Sequence, residues 1–262
     1  MLMNAPKPKL YTRLAQSEAE IEAAQRLRFD VFYRERNRAA PEPGCDRDMD
    51  RFDAFSDHLL VFRQANEQGP GGDDALVGTY RLLRQEIAEQ HGGFYSAQEF
   101  ALSPLLARKK DLRFLELGRS CVLAEYRAMP VIGLLWQGIW DYVRQHSIDV
   151  MIGCASLEGT DVARHRPVLQ FLGTHCKASE DWQVRALPGL GIPMVEDEAA
   201  GADLRKALRI MPPLVRGYLG LGCSVAEDAY VDRAFDTVDV FIILPVAQIN
   251  PRYFAHFGAP AG

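Results

Sequence analysis

The chain has 262 residues, of which 48% are hydrophobic and 25% charged, and its formal net charge is −5. This length and composition allow one sizeable core, so we predict a single domain over residues 1–262. The negative charge argues against general nucleic-acid binding, which needs a clear basic excess. The apolar runs VIGLLWQGIW and VDVFIILPVA are about half of the roughly 20 residues that a membrane-spanning helix needs, which argues against an integral membrane protein.

The first predicted element is a helix over residues 18–36. Ser17 can cap it, and Glu20 completes a capping box. Its apolar stripe consists of Ile21, Leu27, Val31 and Phe32. A loop rich in Pro, Gly and Asp follows at 39–48, and we expect it to fold over a ligand site.

Strands and helices alternate along the rest of the chain. Strands are predicted at 57–63 and 75–84, and the GPGG stretch at 69–72 forms the hairpin loop between them. The later predicted elements are a helix at 96–107, a strand at 113–124, a helix at 131–146, a buried strand at 149–157, helices interrupted at Pro212-Pro213, and an apolar strand at 238–246.

The five cysteines stand singly at positions 45, 121, 154, 176 and 223, with no Cys-x2-Cys pair and no secretory leader. This usage predicts a reducing, cytoplasmic environment without disulfides. His165, His175 and Cys176 are close in sequence, but their spacing matches no metal-ligand pattern. We therefore predict no metal and no permanently bound cofactor.

Six charged residues of the first half stand beside strand-like or aromatic residues, where burying an unpaired charge is costly. They are Arg28, Asp50, Asp53, Arg81, Glu116 and Arg119. Three guanidinium groups and three carboxylates suit a small zwitterion such as an amino acid, because Arg binds a carboxylate and Asp or Glu binds an ammonium. The alternative is a structural network, in which Asp50 and Asp53 hold the N-terminal helix through Arg28.

The pattern of these residues resembles the charged signature of the acyl-homoserine-lactone synthases. It consists of Arg28-x3-Phe32, Asp50-x2-Asp53, Arg81 after Gly78, and Glu116-x2-Arg119. Outside the signature, the chain is more similar to the bacterial ornithine N-acyltransferases of ornithine-lipid synthesis, often labelled haemolysin-like. Matching segments cover most of the chain in order, among them RLRFDVFYRE (26–35), DRFDAFSDHLLV (50–61), FLELGRSCVLAEYR (114–127) and PPLVRGYLGLGCSV (212–225).

The resemblance implies an α/β (α+β) GNAT-like acyl-CoA N-acyltransferase fold, with a mixed central sheet flanked by helices. Residues from about 203 to 262 would be a family-specific extension of the same domain. The implied reaction moves a 3-hydroxyacyl chain from the phosphopantetheine of acyl carrier protein to the α-amine of ornithine, giving a lyso-ornithine lipid.

Three alternatives remain open. The first is the same transfer to glutamine or another amino acid, and the second is lactone synthesis from S-adenosylmethionine. The third is a non-catalytic, haemolysin-type membrane-active protein. The third predicts an exported chain with an amphipathic or spanning segment, and the sequence offers neither.

Glu116 is the predicted general base, because an amine attacks a thioester only when neutral and an α-ammonium is mostly protonated at pH 7. A position at the mouth of an apolar acyl site would raise the pKa of Glu116 toward neutrality. Related folds carry a bulge in the equivalent strand, which Gly118 would tolerate. The expected oxyanion donors are backbone N–H groups at Ser120, Cys121 and Val122.

The substrate contacts are predicted at Arg28, Phe32, Asp50, Asp53, Arg81 and Arg119. Residues 125–133 contain one glycine, which favours a carrier-bound phosphopantetheine over CoA, since CoA enzymes use a Gly-rich turn there. The candidate phosphate contacts are Arg127 and the helix start at Val131, Ile132 and Gly133. Cys121 and Cys154 are alternative nucleophiles, although cysteines buried in strands are usually inert.

Two basic clusters can meet an acidic carrier protein or anionic lipid headgroups, or can be ordinary solvated surface. They are Arg108, Lys109, Lys110 and Arg113, and Arg205, Lys206 and Arg209. A long-chain product favours peripheral contact with the inner membrane. The apolar residues around Met211, Val215 and Tyr218 are predicted to be core, with an acyl tunnel as the alternative.

Overall fold

The computed structural model describes residues 9–40, 42–65, 74–127, 130–196 and 204–249. These fall into a first unit, Met1–Leu83 with Gly118–Gln145, and a second unit, Arg84–Leu117 with His146–Gly262. We describe each unit by itself, and the single domain stays a prediction. The predicted GPGG hairpin loop lies outside the described residues.

The described residues form eight strands and seven α-helices. The strands are β1 Leu10–Leu14, β2 Asp57–Arg63, β3 Ala75–Arg84, β4 Phe114–Val122, β5 Val150–Glu158, β6 Gly191–Pro193, β7 Ser224–Asp232 and β8 Thr237–Pro245. The helices are α1 Glu18–Phe29, α2 Gln85–Gln90, α3 Ser103–Arg108, α4 Val131–Gln145, α5 Val162–His175, α6 Leu204–Ile210 and α7 Pro213–Leu221.

In the first unit, β1, β2 and β3 form an antiparallel meander with β2 in the middle. Helix α4 packs on β1 and β2 through a buried stripe that includes Leu135, Ile139 and Val143. Its Gly138 allows close approach, because a Cβ there would lie 2.8 Å from the Leu59 side chain.

Helix α1 begins as its sequence predicts. The Ser17 side chain accepts a hydrogen bond from the Glu20 N–H. In a capping box, the Glu20 carboxylate would accept from the Ser17 N–H. It accepts instead from the Gln16 N–H at 2.7 Å and pairs with Arg13. The predicted helix over 18–36 is α-helical only to Phe29 and continues as a wider π-helical turn over Asp30–Arg34.

In the second unit, β4 pairs in parallel with β5, and the strand order continues β5-β8-β7-β6 in antiparallel fashion. The mixed sheet and flanking helices confirm the predicted α/β class. The β4–β5 ladder extends only from Phe114↔Val150 to Glu116↔Ile152. At the next position, Gly153 has a φ of +158°, and a Cβ built there would clash with the Leu117 carbonyl oxygen.

Most predicted elements are confirmed within two residues, but the helix predicted at 96–107 is wrong. That segment is a 3-10 turn at Tyr95–Gln98, an extended Phe100 bridged to Ala186, and then α3. Pro104 explains the break, because proline suits the first turn of a new helix and not a helix interior. Strands β1, β6 and β7 and helices α2 and α5 were not predicted. No helix in the described ranges has the length and apolar character needed to cross a bilayer.

Replacing Gly153 by alanine should destabilise the protein by about 2–4 kcal/mol, because the new methyl group meets a backbone carbonyl that cannot move aside. Gly217→Ala in α7 is the matched control, since a Cβ there contacts nothing within 4 Å. The control should be neutral or stabilise by about 1 kcal/mol. Urea unfolding of the two variants tests this, and equal stabilities would contradict it.

Candidate active site

The first unit contains a buried ion pair between helix α1 and the segment before β2. Arg28 is 0% exposed, and its two terminal nitrogens donate to the two Asp53 carboxylate oxygens at 2.9 and 2.7 Å. The Arg28 Nε donates to the Asp48 carboxylate at 2.8 Å. All three nitrogens of this side chain are thus hydrogen-bonded, as a buried guanidinium requires.

Arg81 of β3 and Arg119 of β4 extend this pair into a network. Arg81 donates to Asp50 at 2.6 Å and to Asp53 at 3.0 Å. Arg119 donates to Asp48 at 3.2 Å and to Asp50 at 2.9 Å. We name the network the ionic cluster: Arg28, Asp48, Asp50, Asp53, Arg81 and Arg119. Its three positive and three negative charges balance, and each aspartate bridges two arginines.

The spacing Asp50-x2-Asp53 has a local cause. Asp50 caps the 3-10 turn Arg51–Phe55 by accepting from the Phe52 N–H at 2.8 Å, and Asp53 accepts from the Asp50 N–H at 3.3 Å. This reciprocal capping fixes both carboxylates at the start of the turn. The Asp50 and Asp53 carboxylates are therefore oriented by contacts within their own turn.

The members of the ionic cluster differ in solvent access. The side chains of Arg28, Asp53 and Arg81 are at most 6% exposed, whereas those of Arg119 and Asp50 are 11% and 22% exposed. Burial alone would raise the pKa of Asp53, but the hydrogen bonds and charges of Arg28 and Arg81 outweigh it and hold that pKa well below its usual range. The buried members therefore act as a framework, and the rim is Arg119 and Asp50.

Arg119 has a left-handed backbone, with a φ of +51°. This conformation costs a non-glycine residue about 1–2 kcal/mol. The ion pairs from its side chain to Asp48 and Asp50 offset that cost. The sequence predicted a bulge that Gly118 would tolerate, and the irregular backbone conformation is at the next residue, Arg119.

The sequence prediction named five members of the ionic cluster and missed Asp48. Asp48 is the last residue of the loop that we expected only to fold over a ligand site. Its position two residues before Asp50 and five before Asp53 is the sequence feature that could have identified it. The loop itself is confirmed as irregular within its described residues. Phe32, a predicted substrate contact, packs half-buried against a cluster of Leu27, Val31 and Cys121.

Glu116 lies on β4 in the second unit and is 5% exposed. Its carboxylate accepts hydrogen bonds from the backbone N–H groups of Tyr95 and Ser96, each at 2.8 Å, and from the Ser96 hydroxyl. Three donors stabilise the negatively charged form and so make Glu116 a weaker base than the apolar surroundings expected from the sequence would. The catalytic role of Glu116 stays a prediction.

A small cleft of about 10 Å³ lies in the second unit beside the end of the β4–β5 ladder. Its lining is almost entirely apolar and consists of Leu117, Met151, Ile152, Gly153, Cys154, Tyr218, Ile242 and Leu244. Such a surface suits an acyl chain better than a polar group. We name it the β4–β5 cleft. Tyr218, predicted as core, lines it from α7.

Glu99, Cys154 and Asp239 form a buried acidic group in the second unit, with side-chain ligand atoms within 4.8 Å of one another. Burial and the charge of Asp239 raise the pKa of Glu99 to about 8. Burial and Glu99 raise the pKa of the Cys154 thiol well above its usual value. A metal could bind these three residues only by displacing protons from the thiol and from Glu99. Sequence reasoning did not identify this group.

The remaining predicted residues have the following surroundings. Arg127 donates to the Val122 carbonyl at 3.0 Å and forms a bidentate pair with Glu35 at 2.6 and 2.7 Å. At the start of α4, Val131 is buried whereas Ile132 and Gly133 are exposed. The Ser120 side chain is half-buried. Burial raises the pKa of the Cys121 thiol, which argues against a thiolate nucleophile at either Cys121 or Cys154.

Asp53→Asn should destabilise the protein by about 3–5 kcal/mol, because it leaves Arg28 buried beside a neutral group. Asp50→Asn, the matched control at the rim, should cost less. Guanidinium unfolding measures both losses.

The lowered pKa of Asp53 also predicts an acid dependence. The stabilisation is fully present above about pH 4, the unfolded-state value, and is lost as the pH falls below it. Asp53→Asn should therefore flatten the acid arm of the stability curve. An unchanged acid arm would contradict this account.

Comparisons with known proteins agree with the geometry. Residues 27–137 match the acetyltransferase (GNAT) domain family. An L-ornithine N(alpha)-acyltransferase of Rhizobium meliloti (strain 1021) is 48% identical over 97% of this chain and 86% of its own length. The protein of the same name from Brucella abortus (strain 2308) is 48% identical over 96% of this chain and 90% of its own length.

More distant similarity extends to a further relative and a solved structure. The L-ornithine N(alpha)-acyltransferase of Rhodobacter capsulatus is 39% identical over 92% of both chains. The structure of FeeM, an N-acyl amino acid synthase from uncultured soil microbes, matches with a TM-score of 0.54 and 13% identity over 95% of this chain and 100% of that one, which shows a shared fold. The chain therefore belongs to the L-ornithine N(alpha)-acyltransferase family and is an amide-forming acyltransferase with a GNAT domain.

Proposed function

We propose that this enzyme transfers a 3-hydroxyacyl chain from acyl carrier protein to the α-amine of L-ornithine, forming a lyso-ornithine lipid. The observation that carries the proposal is the 39–48% identity, over nearly the whole chain, to proteins named L-ornithine N(alpha)-acyltransferase. The single glycine in residues 125–133 supports a carrier-bound donor. Membership of an acyltransferase family removes the non-catalytic haemolysin-type alternative.

The β4–β5 cleft is the proposed acyl site, and it must widen to admit a chain, because its volume of about 10 Å³ is close to that which one water molecule needs. The amine nitrogen attacks the thioester carbonyl, a tetrahedral oxyanion forms, and the carrier thiol leaves with a proton. The cleft lies where parallel pairing stops after Glu116↔Ile152. The proposed oxyanion donors are the N–H groups at Ser120, Cys121 and Val122, further along β4.

Glu116 is the proposed general base in the second unit. Its bonds to Tyr95 and Ser96 fix the carboxylate in one orientation, which lowers the cost of positioning a base for proton transfer. It would accept the proton that the α-ammonium loses before attack. In the first unit, Arg119 is the proposed contact with the substrate carboxylate, since it is the most exposed arginine of the ionic cluster.

Helix α6 is the proposed contact with a membrane surface. It combines the basic residues Arg205, Lys206 and Arg209 with Leu204 and Leu208, which are 49% and 40% exposed. Basic and apolar residues exposed together suit anionic headgroups above an acyl layer. In the other basic cluster, Arg108 donates to the backbone carbonyls of Asp181 and Gln183, so part of its hydrogen-bonding capacity is used locally.

Glu116→Gln should abolish product formation, because an amide cannot accept the amine proton. Mass spectrometry should detect a lyso-ornithine lipid when wild-type protein is mixed with 3-hydroxyacyl carrier protein and ornithine, and none with the variant. Carrier binding should change little, whereas the thermal unfolding temperature should fall, because the amide of Gln cannot accept from all the donors at Tyr95 and Ser96. Glu89→Gln, an exposed glutamate on α2, is the control. Equal turnover in Glu116→Gln would remove Glu116 from the mechanism, and an acylated glutamine or a lactone as the main wild-type product would refute the ornithine assignment.

No acyl-enzyme should form, because the thiols of Cys121 and Cys154 are held protonated by burial. Intact-protein mass spectrometry after incubation with the acyl thioester alone, without amine, should show the unmodified mass. A covalent adduct that disappears on addition of ornithine would establish a two-step mechanism instead.

A further inference from the structure

An exposed ion pair in the first unit involves the predicted phosphate contact, Arg127. Its two terminal nitrogens donate to the two carboxylate oxygens of Glu35 at 2.6 and 2.7 Å. Glu35 ends the π-helical turn that follows α1, whereas Arg127 ends the 3-10 turn Ala124–Tyr126 that follows β4. The side chains of Arg127 and Glu35 are 44% and 38% exposed, so a ligand in solvent can reach the pair.

The pair has the geometry by which arginine recognises phosphate. A guanidinium binds a carboxylate or a phosphate through two parallel N–H···O hydrogen bonds. The Arg127 Nε donates separately to the Val122 carbonyl at 3.0 Å, so a backbone contact orients the guanidinium whichever anion the terminal nitrogens face. The Glu35 carboxylate therefore lies where two phosphate oxygens would bind.

Val122 also links this arginine to the proposed reaction centre. Its carbonyl accepts from Arg127, and its N–H is one of the proposed oxyanion donors at the end of β4. Only five residues separate the two positions in the chain, and both belong to the first unit. A thioester bound at the end of β4 therefore has a cation nearby for the phosphate of its arm.

Charges around Arg127 limit how much negative charge it can accept. The hydrogen bond from Arg127 lowers the pKa of Glu35, and the charges of Arg127 and Arg36 act in the same direction, so Glu35 is ionised at neutral pH. Glu125, exposed two residues before Arg127, is a second carboxylate. Repulsion from carboxylates grows with the charge of the ligand. A donor with several phosphates is therefore disfavoured more than a donor with one.

We propose that Glu35 determines donor specificity: its carboxylate holds the Arg127 guanidinium and admits a donor with one phosphate while disfavouring CoA, which carries several. This inference rests on the proposed function and deepens it, because it assigns the choice of a carrier-bound phosphopantetheine to a particular side chain. It is independent of the glycine content of residues 125–133, on which the donor was first inferred. Arg127 supplies the attraction, and Glu35 sets how much phosphate charge the contact accepts.

The experiment uses three thioesters of one acyl chain that differ in phosphate content. Acyl-pantetheine has no phosphate, acyl-phosphopantetheine has one, and acyl-CoA has several. Their kcat/KM values are measured with saturating ornithine in wild type and Glu35→Gln. The variant should raise kcat/KM about 5- to 10-fold for acyl-CoA and about 2-fold for acyl-phosphopantetheine, through a lower KM, and should leave acyl-pantetheine unchanged. Added salt should reduce the gain, because exposed charges are screened.

A second variant tests the position of the phosphate. Arg127→Met should lower kcat/KM for both phosphorylated donors and leave acyl-pantetheine unchanged. Glu22→Gln is the matched control, because Glu22 is also 38% exposed and pairs with Arg26 on α1. It should leave all three donors unchanged. Exposed ion pairs contribute little to stability, so the variants should fold, and retained acyl-pantetheine turnover shows that they do.

The outcomes separate the inference from the function on which it rests. Glu35→Gln that changes all three donors equally, or none of them, would overturn the inference. So would Arg127→Met that slows acyl-pantetheine as much as the phosphorylated donors, which would indicate a structural role for the pair. Wild type that turns over acyl-CoA as well as acyl carrier protein would refute the proposed donor, and wild type that acylates no ornithine with any donor would refute the proposed function itself.

Discussion

The buried pairing of Arg28 with Asp53 is the constraint on which the first unit depends. A guanidinium with no solvent access must find an acceptor for each nitrogen, and those acceptors come from one short segment, Asp48 to Asp53. The requirement fixes that segment against α1, and the aspartates of the segment, now including Asp50, also accept from Arg81 and Arg119 and orient them. The position of the rim residues is thus a consequence of the buried pair.

Carboxylates in the two units show how surroundings decide the role of a group. Asp53 is buried among arginines, and its pKa is lowered, so it is charged and satisfied without a ligand. Glu99 is equally buried among other acids, and its pKa is raised to about 8. The first environment stabilises the charged form of the carboxyl group, and the second stabilises its protonated form. Functional sites are more often of the second kind.

The elements that depend on local sequence patterns could be predicted, whereas contacts between residues far apart in the chain could not. The strands at β2, β3 and β8 follow from apolar runs bounded by turn residues, and resemblance identified most of the ionic cluster. It could not show which aspartates pair with which arginines, since those contacts join segments far apart in the chain. Nothing in the sequence distinguished Glu99, which lies in the segment predicted as a helix. Asp239 could have been noticed, because a carboxylate inside the apolar run VDVFII is costly to bury without a compensating group.

The proposed reaction also has to distinguish the two nitrogens of a diamine. Ornithine has two amines of similar chemistry, and only a neutral one attacks a thioester. Carboxylates that surround one ammonium would favour its charged form, which raises its pKa and removes it as a nucleophile. The nitrogen that reacts would then be the one whose proton a base such as Glu116 accepts, so the position of the base would decide the regioselectivity.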